Sequence, residues 1–216
     1  YLYIVLKTDI FIKNSSTMIA VLTGDIINSR QGNVLQWLDT LKKTLNQYGQ
    51  EPHDWEIFRG DSFQLITTPQ VALLAAIHIK AAIKESKLYD VRIAIGLGQQ
   101  THKAKKIAES NGPAYVNSGL AFENLKKQTL AINANQPDWD QPLNIMLNLA
   151  LLTANNWSST VANVIVTVLE HPTKNQKEIA TLLGKSQSNI SEALKRGGYD
   201  EVMQLNTYYQ QQLQKL

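Results

Sequence analysis

From Met18 onward the apolar residues change their spacing in an order that few folds accommodate: strand, helix, strand, strand, helix, strand. Residues 19–22 are a short aliphatic and β-branched run suited to a buried strand. Residues 34–48 carry Val34, Leu35, Leu38, Leu41 and Leu45 at helical spacing and stop at Gly49. Two strand-length segments, Trp55–Phe58 and Ser62–Thr67, flank Arg59-Gly60-Asp61, a triplet suited to a tight hairpin. Pro69 opens a helix to residue 86 with Val71, Leu74, Ala75, Ile79 and Ile83 on one face, and residues 91–97 return as a strand. Two crossover helices around a hairpin predict an α/β (α+β) fold, a ferredoxin-like βαββαβ sheet.

Two Gly-Asp steps fall at telling places in that order. Gly24-Asp25 follows the first apolar run, and Gly60-Asp61 lies at the hairpin tip. In a split βαβ sheet the end of the first strand lies beside the central hairpin, so Asp25 and Asp61 are predicted to be neighbours in space. Carboxylates are hard oxygen ligands, which suits one or two Mg²⁺ or Mn²⁺ ions and the phosphates of a nucleotide. The competing reading makes both of them turn aspartates that bond their own backbone.

Beyond this unit, residues 99–110 hold His102, Lys103, Lys105 and Lys106 and read as a mobile basic loop. A helix is predicted over 115–127 and a strand over 129–133. The Asn, Gln, Pro and Asp content of residues 135–142 reads as a linker, dividing an α/β domain at 18–135 from a small all-helical domain at 136–216. There, residues 143–152 and 161–169 read as apolar helices, and His171-Pro172 stops the second.

Residues 176–191, QKEIATLLGKSQSNIS, have helix-turn-helix spacing, with Ala180 fifth, Gly184 ninth and Ile190 fifteenth. Ala180 lets two helices cross closely, Gly184 permits a left-handed turn, and Ile190 plugs the core. The motif is placed at 176–196, with Ser186 capping the second helix and Gln187, Ser188, Ser191, Glu192 and Lys195 facing outward. Small polar groups and an amide suit base edges, whereas Lys174, Lys177, Lys185, Lys195 and Arg196 suit phosphates. Only Glu178 and Glu192 oppose these cations, leaving a local excess of three positive charges. The expected partner is double-stranded DNA, bound by a homodimer assisted by Leu205, Tyr208, Tyr209 and Leu213 of the last helix. A helical hairpin used only for packing is the competing reading. Gly184-Lys185-Ser186 is not a phosphate loop, because Ile179 stands where the first glycine of that motif belongs.

Several classes are set aside by composition. The chain lacks cysteine, which removes disulfides and thiolate chemistry and makes a cytoplasmic location the expectation. Its net charge of +3 is too small to argue for nucleic acid globally. Residues 1–6 are too short an apolar run for a membrane span, and residues 1–17 precede the first Met as an extension of uncertain status. His53, His78, His102 and His171 have no metal-like spacing, and His78, on a helix among apolar residues, reads as a packed or surface side chain and not a catalytic one.

The segments MIAVLTGDIINSR at 18–30, FRGDSFQL at 58–65, VRIAIGLG at 91–98 and NGPAYVNSGLAFENLKK at 111–127 resemble the SatD family over nearly the whole chain from Met18. More remotely, they resemble class III nucleotide cyclases. That resemblance implies a cyclase-like sheet domain, with Asp25 and Asp61 matching metal ligands for Mg²⁺ or Mn²⁺ and Asn117 matching the asparagine that aids the transition state. Two departures stand out: Ile57 replaces the purine-selecting lysine, and Ala121 replaces the arginine expected four residues after Asn117. Arg59, Arg92 and the lysines at 103–106 are candidate substitutes, and Arg59 and Asn117 are the candidate nucleotide contacts. The expected function is a DNA-binding, transcriptional-regulator-like protein whose cyclase-like domain senses a nucleotide or metal. A metal-dependent cyclase or other phosphoryl-transfer enzyme is the alternative, disfavoured by the missing Lys and Arg, and a pure interaction module is the third reading.

Overall fold

The computed structural model describes residues 18–216, so the N-terminal segment 1–17 lies outside the described residues. Five strands form one sheet in the order β2-β3-β1-β4-β5: β1 (Met18–Ile27), β2 (Trp55–Phe58), β3 (Ser62–Thr67), β4 (Asp90–Gln99) and β5 (Leu130–Asn133). β1 is central and pairs antiparallel with β3 and β4, while β5 adds parallel to β4. This is the ferredoxin-like order with one further parallel strand.

α1 (Val34–Leu45) and α2 (Pro69–Lys84) cover one face, and α3 (Pro113–Glu123) lies against β4, β1 and β5 on the other. Strand alternation explains the division. Ala20, Leu22 and Ile26 of β1 and Val91, Ile93, Ile95 and Leu97 of β4 enter the main core, whereas Ala94 meets Ala121 and Leu125 on the α3 side. α3 approaches so closely that a β-carbon on Gly96 would lie 2.2 Å from the Ala114 carbonyl oxygen and the Ser118 amide nitrogen.

The segment at 99–110 is pinned down. Its single 3₁₀ turn, Ile107–Glu109, buries Ile107, whose amide donates to the Pro52 carbonyl at 2.9 Å, and His102 bridges Asn111. Its three lysines remain exposed.

The C-terminal part comprises α4 (Pro137–Ala154), α5 (Ser159–Glu170), α6 (Gln176–Leu182), α7 (Gln187–Gly197) and α8 (Tyr199–Gln212). The predicted linker at 135–142 is largely the start of α4. Pro137 occupies the first helical turn, where no amide donor is required, and the Asp140 carboxylate accepts from the Ala134 and Gln136 amides at 2.7 and 3.0 Å. Asn144 then blocks the outer edge of the sheet: its oxygen accepts from the Ile132 amide at 3.0 Å and its amide donates to the Ile132 carbonyl at 2.8 Å.

One apolar core runs from the sheet through α2 into α4, α5, α7 and α8. α2 is buried almost all round because the sheet takes one side and α5 and α8 take the other. Polar ties reinforce the junction. The buried Lys80 ammonium donates to Asp90 at 2.8 Å and to the Thr129 hydroxyl at 3.0 Å, and that hydroxyl donates to the Asn155 side chain at 2.7 Å. Burial lowers the Lys80 pKa to about 8 against the opposing pull of Asp90. The last helix is also committed inward: Leu205 and Tyr209 are buried, and the Tyr209 hydroxyl donates to the Pro69 carbonyl at 2.7 Å. Three of the four residues expected at a dimer contact therefore serve the chain's own core: Leu205 and Tyr209 of α8, and Leu213 just after it, which packs against that core partly buried.

Candidate functional site

Asp25 stands near the C-terminal end of β1, flanked in register by Ser62 of β3 and Arg92 of β4. All three side chains project to the α3 side of the sheet, opposite the main core. Arg92 grips Asp25 as a fork: Nε donates to Oδ1 at 2.9 Å and a terminal nitrogen donates to Oδ2. The guanidinium also lies over the Phe122 ring, 5.6 Å from its centroid. Its pKa is raised first by the Asp25 hydrogen bond and further by the charges of Asp25 and Asp61.

Asp61 reaches the same corner from the hairpin. Its carbonyl accepts from the Ile26 amide at 3.1 Å, and its carboxylate accepts from the Ser29 hydroxyl at 2.5 Å. Arg59 and Gly60 before it take positive φ values of 54° and 90°, the turn geometry that lets the chain reverse in three residues. The structure thus gathers Asp25, Asp61, Arg92 and Ser29 at one end of β1. Ser29 is absent from the sequence reading, since only the turn after β1 aims its hydroxyl at Asp61.

Asn117 is placed elsewhere. It is buried on α3, and its amide donates at 2.7 Å to the carbonyl of Leu97, which pairs with Ala20. Five residues of strand separate that level from the Asp25 level, roughly 16 Å at the usual rise. Arg59 is exposed with no hydrogen bond or ion pair to a described residue. Among the described residues no group of three or more histidine or acidic side chains converges as a metal cage. Two carboxylates are the protein share that a hexacoordinate Mg²⁺ takes when water and phosphate oxygens supply the rest. Both oxygens of Asp25 are engaged by Arg92 here, so a cation bound between the two aspartates would share that carboxylate with the guanidinium or displace it.

The second candidate lies in α6 and α7. Asn175 caps α6 through a reciprocal box with Glu178, and Ser186 caps α7 by accepting from the Asn189 amide at 3.2 Å. Gly184 takes the left-handed conformation, φ 61°, and the following Lys185 amide donates back to Ala180 at 2.9 Å. α7 is anchored from inside by Ile190, Ala193, Leu194 and Gly197, with the Trp157 indole donating to the Gly197 carbonyl at 2.8 Å. Gln187, Ser188 and Ser191 are exposed, as are Lys174, Lys177, Lys195 and Arg196, and Lys185 is half-buried in the turn. The structure separates these cations. Lys174, Lys177 and Lys185 accompany α6 and the turn, whereas Lys195 and Arg196, at the far end of α7, line a groove shared with α4 and α8.

No helix among the described residues is long and apolar enough to cross a membrane. Comparison with curated proteins gives no match. Among solved structures, the chain is similar to the active GGEEF domain of a diguanylate cyclase from Vibrio cholerae. That likeness has 18% identity, a TM-score of 0.38, and coverage of 55% of this chain and 84% of that one. The family model for the SatD family matches residues 18–213, spanning both the sheet with its two aspartates and the helices that follow. The chain therefore belongs to the SatD family.

Proposed function

We propose that the protein is a double-stranded DNA-binding regulator that reads the major groove with α7. The observation carrying this reading is the way α7 is mounted. Its inner residues and the Trp157–Gly197 bond fix it, while its capped N-terminal half leaves Gln187, Ser188 and Ser191 exposed, directly after Lys185 in the turn and Lys174 and Lys177 at the start of α6. Phosphate contacts by the lysines supply affinity, and the amide and hydroxyls supply sequence discrimination. Fluorescence anisotropy with a duplex library tests it. Replacing the three lysines by alanine should weaken binding to all duplexes and lower the slope of log affinity against log salt by about three. Gln187→Ala should instead blur the preference between sequences. A chain without measurable duplex affinity at low salt refutes the reading.

A second reading concerns the sheet corner, and its support is the convergence of two carboxylates and one guanidinium there. In it, Mg²⁺ or Mn²⁺ held by Asp25 and Asp61 displaces Arg92, which is then free to meet a nucleotide's phosphates. Such a nucleotide acts as a sensed ligand, and phosphoryl transfer is the enzymatic alternative. Thermal shift with nucleoside triphosphates and either metal checks it, because a ligand that prefers the folded state raises its apparent stability. The wild-type chain should be stabilised only when metal and nucleotide are both present, and Asp61→Asn should abolish the shift. An equal shift in both proteins removes this reading.

A further inference from the structure

α4 carries two apolar stripes where a surface helix has one. Leu143, Leu147, Leu151 and Ala154 face the core, while Ile145, Leu149 and Leu152 face outward with 54, 62 and 71% of their surface exposed. Leu149 forms part of the wall of a groove of about 730 Å³ between α4 and α8, whose lining includes Met146, Leu205 and Tyr208. Exposed apolar surface clustered in this way marks a contact site rather than a solvated face.

The groove also carries charge of both signs. Lys195 and Arg196 stand at the end of α7, and Glu201 stands on the first turn of α8 next to Asp200. None of these four has an ion-pair partner among the described residues. A patch combining apolar residues with unpaired cations and anions has the chemistry to pair with a second copy of itself. A two-fold axis through it would set the cations of one copy against the anions of the other and the α4 stripes against each other.

We infer that the α4–α8 groove and the α4 face beside it are the seat of a two-fold homodimer, with Leu149 in the groove, Ile145 and Leu152 on the adjoining face, and Lys195, Arg196 and Glu201 at the rim. The inference goes beyond DNA binding and stands without it. Sedimentation velocity of the full chain from 1 to 100 µM tests it. The expected species has twice the 24.2 kDa chain mass. Leu149→Asp, which places a charge on an exposed site without emptying the core, should sediment as a monomer while keeping its circular dichroism and melting temperature. Leu182→Asp, at a half-exposed site on α6 outside the groove, should remain dimeric. Glu201→Lys should raise the dimer dissociation constant roughly tenfold, because the change occurs twice per dimer.

A wild-type monomer throughout that range overturns the inference, as does a dimer unchanged by Leu149→Asp or by Glu201→Lys. The two proposals separate cleanly. A monomer that binds duplex DNA overturns this inference alone, and a groove-dependent dimer without duplex affinity overturns only the DNA reading.

Discussion

His78 shows how much one buried side chain can set. It is 2% exposed, its Nδ1 lies 2.8 Å from the Tyr48 hydroxyl, and its Nε2 has only the Glu170 carboxylate near it, at 3.7 Å. Burial lowers its pKa to about 4, outweighing Glu170, while the Lys43 charge acts in the same direction as burial. The folded chain therefore keeps His78 neutral at pH values where the unfolded chain protonates it. The contribution of His78 to stability is fully present above about pH 6.5 and is lost as pH falls through about 4, an amount on the order of 3 kcal/mol. Denaturant midpoints measured at pH 7.5 and 4.5 should differ less in His78→Gln than in the wild type; an equal difference would assign the acid sensitivity elsewhere. Glycines give a second contrast. Gly184→Ala should cost about 1 kcal/mol, since its left-handed backbone has open space around it. Gly96→Ala should cost about 3 kcal/mol or more, since α3 backbone fills the place of the new methyl group. Equal melting temperatures for the two variants would contradict that account.

At the scale of elements, the sequence spoke through spacing and fell silent where partners come from afar. The hairpin strands Trp55–Phe58 and Ser62–Thr67 lie where their alternation and flanking turn residues place them, and the topology brings Asp25 and Asp61 to one corner. Arg92 as the partner of Asp25 depends on the register between β1 and β4, a pairing across 67 residues that periodicity does not encode. The start of α4 was hidden because Pro137, Asp138, Gln141 and Pro142 have the composition of a linker. Only the folded chain brings Asp140 within reach of the Ala134 amide. Asn144 is hidden in the same way: a polar residue on an apolar helix acquires meaning once the Ile132 edge is beside it. Asn144→Leu should cost about 1–3 kcal/mol by leaving the Ile132 amide and carbonyl unpaired. Hydrogen exchange would register this as faster exchange of the Ile132 amide, and unchanged protection would mean that solvent already reaches that edge.

For the whole molecule, the decisive fact is that the division at 135/136 crosses an undivided core. A chain cut there would leave α2 bare on the side that α5 and α8 cover, with Ile77, which lies beside Leu147, Leu151 and Leu205, facing water. Residues 18–135 expressed alone should be insoluble or bind hydrophobic dyes. The intact chain should unfold in one calorimetric transition whose van't Hoff and calorimetric enthalpies agree; two resolved transitions would show that the parts melt independently. The shared wall also fixes how the two ends of the molecule can influence each other. With α2 pressed between sheet and helices and the Asp90–Lys80–Thr129–Asn155 chain fastened across the seam, the described residues offer no separate joint between the two parts. Any influence of the Asp25 corner on Gln187 would have to be carried through this shared packing, by small shifts of packed helices and not by the swing of two separate bodies.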